Sequence, residues 1–145
     1  MKIRLIQPSQ LGEDGHPIKY EKLFLPFLTM ATLAGLTPPG VEVGITEDYV
    51  EDIDFGEDLD LVGLTAQTCQ APRAYQIADQ FRKLGRKTVM GGIHASVFPE
   101  EALEHVDSVV VGEAEDIWEN VVADAERGAL KRIYRAEAKP DLTTL

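Results

Sequence analysis

The sequence predicts a doubly wound parallel α/β domain, with about five strands in the order 2-1-3-4-5 and helices on both faces of the sheet. Three observations predict it. Short β-branched runs alternate with segments of helical period along the whole chain. The run Leu61 to Thr65 is almost continuously apolar, as a strand must be when both sheet faces are covered. Polar and glycine-bearing segments follow the strands rather than precede them, and that is the edge where such sheets hold ligands.

The elements follow in order. Lys2 to Gln7 reads as a first strand that Pro8 ends, with a polar loop from Ser9 to Lys19. Leu23 to Leu36 is apolar and alanine-rich and predicts a buried helix, with Pro26 near its start, where a missing amide is tolerated. Thr37 to Gly40 closes that helix, and Val41 to Thr46 is a second strand. Glu47 to Asp60 carries eight acidic residues and predicts a solvated crossover with at most one helical turn. After the third strand, Ala71 to Leu84 places Ala74, Ile77, Ala78 and Phe81 on one helical face, and Gly85 stops it. Lys87 to Met90 is a fourth strand, Gly91 to Phe98 a loop, and Pro99 to Leu103 a short helix. Val106 to Val111 is a fifth strand and Ala114 to Arg127 a helix with Ile117, Val121 and Val122 inward. Leu130 to Tyr134 suits a short edge strand.

Composition narrows the function. The chain has 145 residues, enough for one domain with its own core. It carries 14 basic against 25 acidic residues, net -11, which argues against a nucleic-acid partner. No apolar run is long enough to cross a bilayer, and the start lacks the apolar region of a signal peptide, so a cytoplasmic location is expected. One cysteine, Cys69, leaves no internal disulfide and no cluster for zinc or iron–sulfur. A nucleophilic Cys69 has no paired base in the sequence, and a partly buried thiol is the simpler reading.

Candidate ligand groups gather after four strands. Pro8, Ser9 and Gln10 follow the first; Thr65, Ala66, Gln67, Thr68 and Cys69 the third; Gly91, Gly92, Ile93 and His94 the fourth; Gly112, Glu113 and Ala114 the fifth. Gly91 and Gly92 allow close backbone approach to a ligand, although a plain tight turn explains the pair alone. Thr65 and Thr68 are ligand hydroxyls or caps of the next helix. His94 fits a metal ligand, a hydrogen-bond donor or a loop anchor, while His16 and His105 read as surface residues. Arg73 faces an anionic ligand or solvent. Glu113 and Glu115 suit a helix start, where negative charge is favourable. Trp118 is a core residue or a docking residue, the core being the commoner place. No glycine fingerprint or phosphate loop for nucleotides is present.

Taken together, the segments resemble the amino-terminal cobalamin-binding domain of cobalamin-dependent radical S-adenosylmethionine enzymes. The matching stretches are PSQ at 8–10, FLPFLTMATLAGLTPPGVEV at 24–43, DLVGLTAQT at 60–68, AYQIADQFRKLG at 74–85, VMGGIHASVFPEEAL at 89–103 and DSVVVGEAE at 107–115. The GGIH and GEAE pieces at their spacing are the most specific. The resemblance implies a flavodoxin-like fold, a Rossmann-like three-layer sandwich, with cobalamin at the carboxyl edge of the sheet. It implies a domain over 1–136 and, in 137–145, the start of a linker toward a radical S-adenosylmethionine barrel.

The barrel would hold a four-iron four-sulfur cluster and S-adenosylmethionine, and its three-cysteine motif is absent here. Related cobalamin domains place a histidine ligand to cobalt in a D-x-H-x-x-G motif after the first strand. Here Asp14 and His16 are followed by Pro17, Ile18 and Lys19 without the glycine. The resemblance therefore implies base-off cobalamin with no protein histidine on the metal. Its implied contacts are Thr65, Gln67, Thr68, Gly91, Gly92 and His94, with Gly112, Glu113 and Ala114 beside the nucleotide tail and Ser9 and Gln10 on the same edge. It further implies a parent methyltransferase acting on an unreactive carbon of a small-molecule substrate, and no turnover by these residues alone. The alternatives are a ring-forming cyclase of the same family and a flavodoxin-like module that has lost its cofactor. A response regulator would want acidic residues where Ser9-Gln10 and Thr65-Ala66 stand.

Overall fold

The computed structural model describes residues 1–23 and 27–137. Six parallel strands form one sheet in the order β2-β1-β3-β4-β5-β6. They are β1 (Lys2–Gln7), β2 (Glu42–Glu47), β3 (Leu61–Thr65), β4 (Lys87–Gly91), β5 (Ser108–Val111) and β6 (Ile133–Arg135). The expected order 2-1-3-4-5 is present, and β6 extends it beside β5.

Helices α1 (Leu28–Leu36) and α5 (Trp118–Glu126) cover one face, and α2 (Ala71–Lys83), α3 (Gly92–Val97) and α4 (Pro99–His105) the other. Burial follows from the sequence pattern. In β1, Ile3 and Leu5 face α1 and α5, while Ile6 faces α2. In β3, Leu61 joins the first layer and Val62 and Leu64 the second, which is why that strand is apolar throughout. In α2, Ala74, Ile77, Ala78 and Phe81 are fully buried, as their spacing predicts.

Some expectations need correction. The helix expected from Leu23 begins at Leu28, and the part of it at Phe24 to Pro26 lies outside the described residues, as does the linker from Ala138 onward. The loop expected over Gly91 to Phe98 is mostly α3, closed by Phe98 N–H donating to His94 O at 2.9 Å. The short helix after it runs on to His105. The helix expected from Ala114 starts at Trp118, preceded by a turn in which Trp118 N–H donates to Ala114 O.

The acidic crossover between β2 and β3 is not simply solvated, and a single helical turn opens it, with Glu51 N–H donating to Glu47 O at 2.9 Å. Ile53 and Phe55 pack against the α2 layer, Leu59 is buried, and Asp48 is wholly buried. No helix among the described residues is long and apolar enough to cross a membrane.

Candidate functional site

Because all six strands run parallel, the loops after β1, β3, β4 and β5 meet at one edge. They surround a cleft of about 450 Å³. Gln7 at the end of β1 forms part of it, with Phe27, Thr29 and Leu33 from the start of α1. Thr65, Ala66, Gln67 and Gln70 come from the end of β3 and the single 3-10 turn after it. Gly92, Ile93, Ser96 and Val97 come from α3, and Gly112 to Glu115 from the loop after β5.

Below the cleft is an apolar recess of about 40 Å³ in the α1–α5 layer, bounded by Leu5, Met30, Gly63, Val89, Val110 and Trp118. Thr29, Leu33, Thr65, Gly92 and Ala114 border both spaces. A Cβ on Gly63 would stand 2.7 Å from Leu5 and 3.6 Å from Trp118, so the glycine lets the recess walls close on the sheet.

The loops are laced to one another. Gly92 has φ +91°, and a Cβ there would lie 2.6 Å from Thr65 Oγ1 and 2.9 Å from both N and O of Ala66. Only glycine fits at this crossing of the β3 and β4 loops. His94 N–H donates to Ala66 O at 3.1 Å. Ser96 Oγ donates to Gly92 O at 2.9 Å and accepts from Gly112 N–H at 3.0 Å, tying α3 to the β5 loop. Gly112, at φ +88°, turns the chain away beside Ala136. Gln67 and Gln70 cap each other's backbone, and Gln70 Nε2 donates to Pro8 O at 2.9 Å.

Beside the cleft lies a buried carboxylate. Asp48, just past β2, accepts from Ser9 Oγ at 2.7 Å, Ser9 N–H at 3.1 Å, Arg73 Nε at 2.8 Å and Arg73 Nη2 at 3.0 Å, with Lys19 Nζ at 3.2 Å. Burial alone would push this carboxyl up, but the Arg73 and Ser9 contacts outweigh it and hold it below the usual carboxylate range. Arg73 thus serves a fixed anion of the protein, and Ser9 is spent on the same group.

The expected site residues divide into two sets. Thr65, Gln67, Gly92, Gly112, Glu113 and Ala114 border the cleft, and Gly91 borders the recess. Ser9, Gln10, Thr68 and His94 do not border either. His94 is 4% exposed and points into the α2–α4 layer, its Nε2 2.8 Å from Tyr75 Oη and 3.3 Å from Glu101 Oε1. The loop-anchor role describes it. Thr68 makes no side-chain cap to the next helix, which has none; the Gln67–Gln70 capping box closes the 3-10 turn before it. Cys69 is exposed rather than partly buried, with Gln10 Nε2 3.3 Å from its sulfur. His16 is exposed, whereas His105 stacks on Tyr75 and pairs with Asp79 at 2.9 Å. Trp118 is core, 2% exposed, with Nε1–H donating to Thr37 Oγ1.

Gln7, Thr29, Leu33 and Ser96 border the cleft without having been singled out from the sequence. Ser96 lies one helical turn beyond Gly92, a signal hidden when the segment is read as a loop. No lysine, arginine or histidine among the described residues borders the cleft, and no group of three metal-ligating side chains occurs among them. The arrangement suits non-covalent seating of a bulky, amide- or hydroxyl-bearing molecule with an apolar appendage for the recess.

Comparison with known proteins agrees. Over 119 residues the chain is 39% identical to bacteriochlorophyllide d C-8(2)-methyltransferase of Chlorobaculum tepidum, covering 81% of this chain and 26% of that enzyme. It is 36% identical over 86 residues to bacteriochlorophyllide d C-12(1)-methyltransferase of the same organism, covering 59% and 19%. An uncharacterised methyltransferase of Synechocystis sp. is 27% identical over 126 residues, covering 85% and 24%. The chain thus spans about a quarter or less of the length of these relatives. The B12 binding domain profile matches residues 30–122, a span holding most of the cleft and the recess, and the chain belongs to that family of cobalamin-binding domains.

Proposed function

We propose that the cleft seats cobalamin base-off, with the nucleotide tail entering the apolar recess and no histidine of this domain on the metal. The observation that carries this is the recess itself. It is an apolar slot directly under a polar cleft, with Gly63, Gly91 and Gly92 in its lining. Thr65, Gln67, Gly92 and the turn Gly112 to Ala114 would hold the cofactor, and Leu5, Val89, Val110 and Trp118 would exclude water around the tail. None of His16, His94 and His105 borders the cleft, which supports the histidine-free reading. When bound, the cobalt supplies a centre that accepts and hands on a methyl group.

The domain would serve a longer methyltransferase that acts on an unreactive carbon of a small molecule. In this proposal a radical S-adenosylmethionine barrel with its four-iron cluster follows residues 137–145. The share of the matched methyltransferases that lies outside this chain supports that larger plan. In this proposal the residues of this chain position the cofactor and keep water away from it, and turnover belongs to the longer protein.

The test is a titration of the purified chain with hydroxocobalamin and with reduced cobalamin, followed by visible absorption and gel filtration. Corrinoid that co-elutes with a base-off spectrum is expected. A base-on spectrum of the bound corrinoid would overturn the tail placement, and no co-eluting corrinoid would overturn cofactor binding by this chain.

A further inference from the structure

The cleft is polar without being cationic. Its wall offers amides and hydroxyls from Gln7, Gln67, Thr29 and Thr65, while the Gln70 amide and the Ser96 hydroxyl are already bonded within the protein. Gln67 accepts the backbone N–H of Gln70 with its side-chain oxygen, which turns its amide N–H groups to the task of meeting a ligand carbonyl. The charges that border the cleft, among the described residues, are two carboxylates, Glu113 and Glu115, on the turn after β5. Two cations of the same edge are turned elsewhere: Arg73 and Lys19 both close on buried Asp48. The wall therefore offers groups that match neutral amides, and a rim that repels anions.

We propose that this cleft is a charge filter for corrinoids: it accepts a corrin whose peripheral side chains are all amides and rejects one carrying a free carboxylate in place of an amide. The inference rests on the cobalamin reading and adds the ligand class that the site selects. An amide can accept from Gln67 and donate to a glutamate. A carboxylate can only accept, finds no cation among the described residues of the wall, and stands near exposed Glu113 and half-buried Glu115. Like charges about 6 Å apart at an effective dielectric near 40 repel enough to weaken binding about tenfold. Glu113 and Glu115 are specificity-determining residues here, and they act through their charge.

The experiment compares cobalamin with its monocarboxylic acid derivatives, in which one peripheral amide is hydrolysed, by absorbance titration of the purified chain at low salt. The phosphodiester is common to all these probes and cancels in the ratio. At least one positional isomer is expected to bind about tenfold more weakly than cobalamin, with the gap narrowing as salt is raised. In the Glu113→Gln/Glu115→Gln double variant the same ratio should fall to about twofold. Equal binding of cobalamin and every isomer by the unaltered chain would overturn the filter while leaving cofactor binding intact. A gap that persists undiminished in the double variant would overturn its assignment to these two glutamates. Failure of cobalamin itself to bind would sink the cofactor reading, and the filter with it.

Discussion

Gly92→Ala would set a methyl carbon 2.6 Å from Thr65 Oγ1 and 2.9 Å from the Ala66 backbone, at a φ of +91° that alanine disfavours. Backbone atoms cannot swing aside as a long side chain can, so a loss of at least about 2 kcal/mol in urea unfolding is expected. Asp48 sets a second residue-level test. Its carboxylate is buried and bonded to Arg73, Ser9 and Lys19, so Asp48→Asn leaves the Arg73 guanidinium, itself largely buried, without its counter-charge. A cost of about 2–4 kcal/mol follows, read by chemical denaturation at neutral pH. The folded-state pKa of Asp48 is depressed, so its contribution is present above the unfolded value near about 4 and is lost as pH falls through the folded one. Stability of the unaltered chain should therefore drop more steeply in acid than that of the Asn variant. The Asp48 cluster was not legible in the sequence, where Asp48 is one acid among eight in a segment that looks solvated. Its partners lie 25, 29 and 39 residues away, and pairing at that distance leaves no local pattern.

At the scale of elements, periodicity revealed what it physically encodes. β3 is found at the bounds its apolar run predicts, and α2 ends one residue earlier than its pattern suggests. α3 went unread because six residues hold less than two helical turns, too few for a period, and because two glycines at its start mimic a loop. What holds α3 is tertiary. Tyr75 of α2 reaches His94 and Glu101 of α4, and the phenol ring stacks on His105 with centroids 4.1 Å apart. Burial, and then the Glu101 carboxylate, push the Tyr75 phenol well above its usual range, so it stays a neutral donor. Tyr75→Phe should cost about 1–2 kcal/mol and speed hydrogen exchange in α3 and α4 more than in β1. Uniform exchange rates would show that the three helices are held by apolar contact alone.

For the molecule as a whole, strand order and ligand edge were legible because right-handed crossovers leave few arrangements for alternating strands and helices. The cleft as a shape was less so. Gln7 ends the first strand and Thr29 opens the first helix, and only the folded sheet sets them side by side. The charge imbalance acts at this scale too. With a net of -11, the folded chain repels itself, and moving from about 0.01 to about 0.15 M salt should raise the thermal midpoint as screening lengths shorten. A midpoint insensitive to salt would mean that the ion pairs along β1, β2 and the crossover already balance that repulsion.

The chain has one tryptophan, and it stands in the wall of the apolar recess, shielded from water, its indole N–H on Thr37. The molecule therefore carries its own optical gauge at the deepest part of the site. Light emitted by a shielded indole is blue-shifted, and a coloured macrocycle lodged a few ångströms above would drain that emission by energy transfer. Filling of the recess should register as a fall in intrinsic fluorescence that saturates with the ligand, without any label and before any partner domain is added. A corrinoid that bound only at the rim would dim the signal without altering the wavelength of what remains, whereas one that entered the slot would change both.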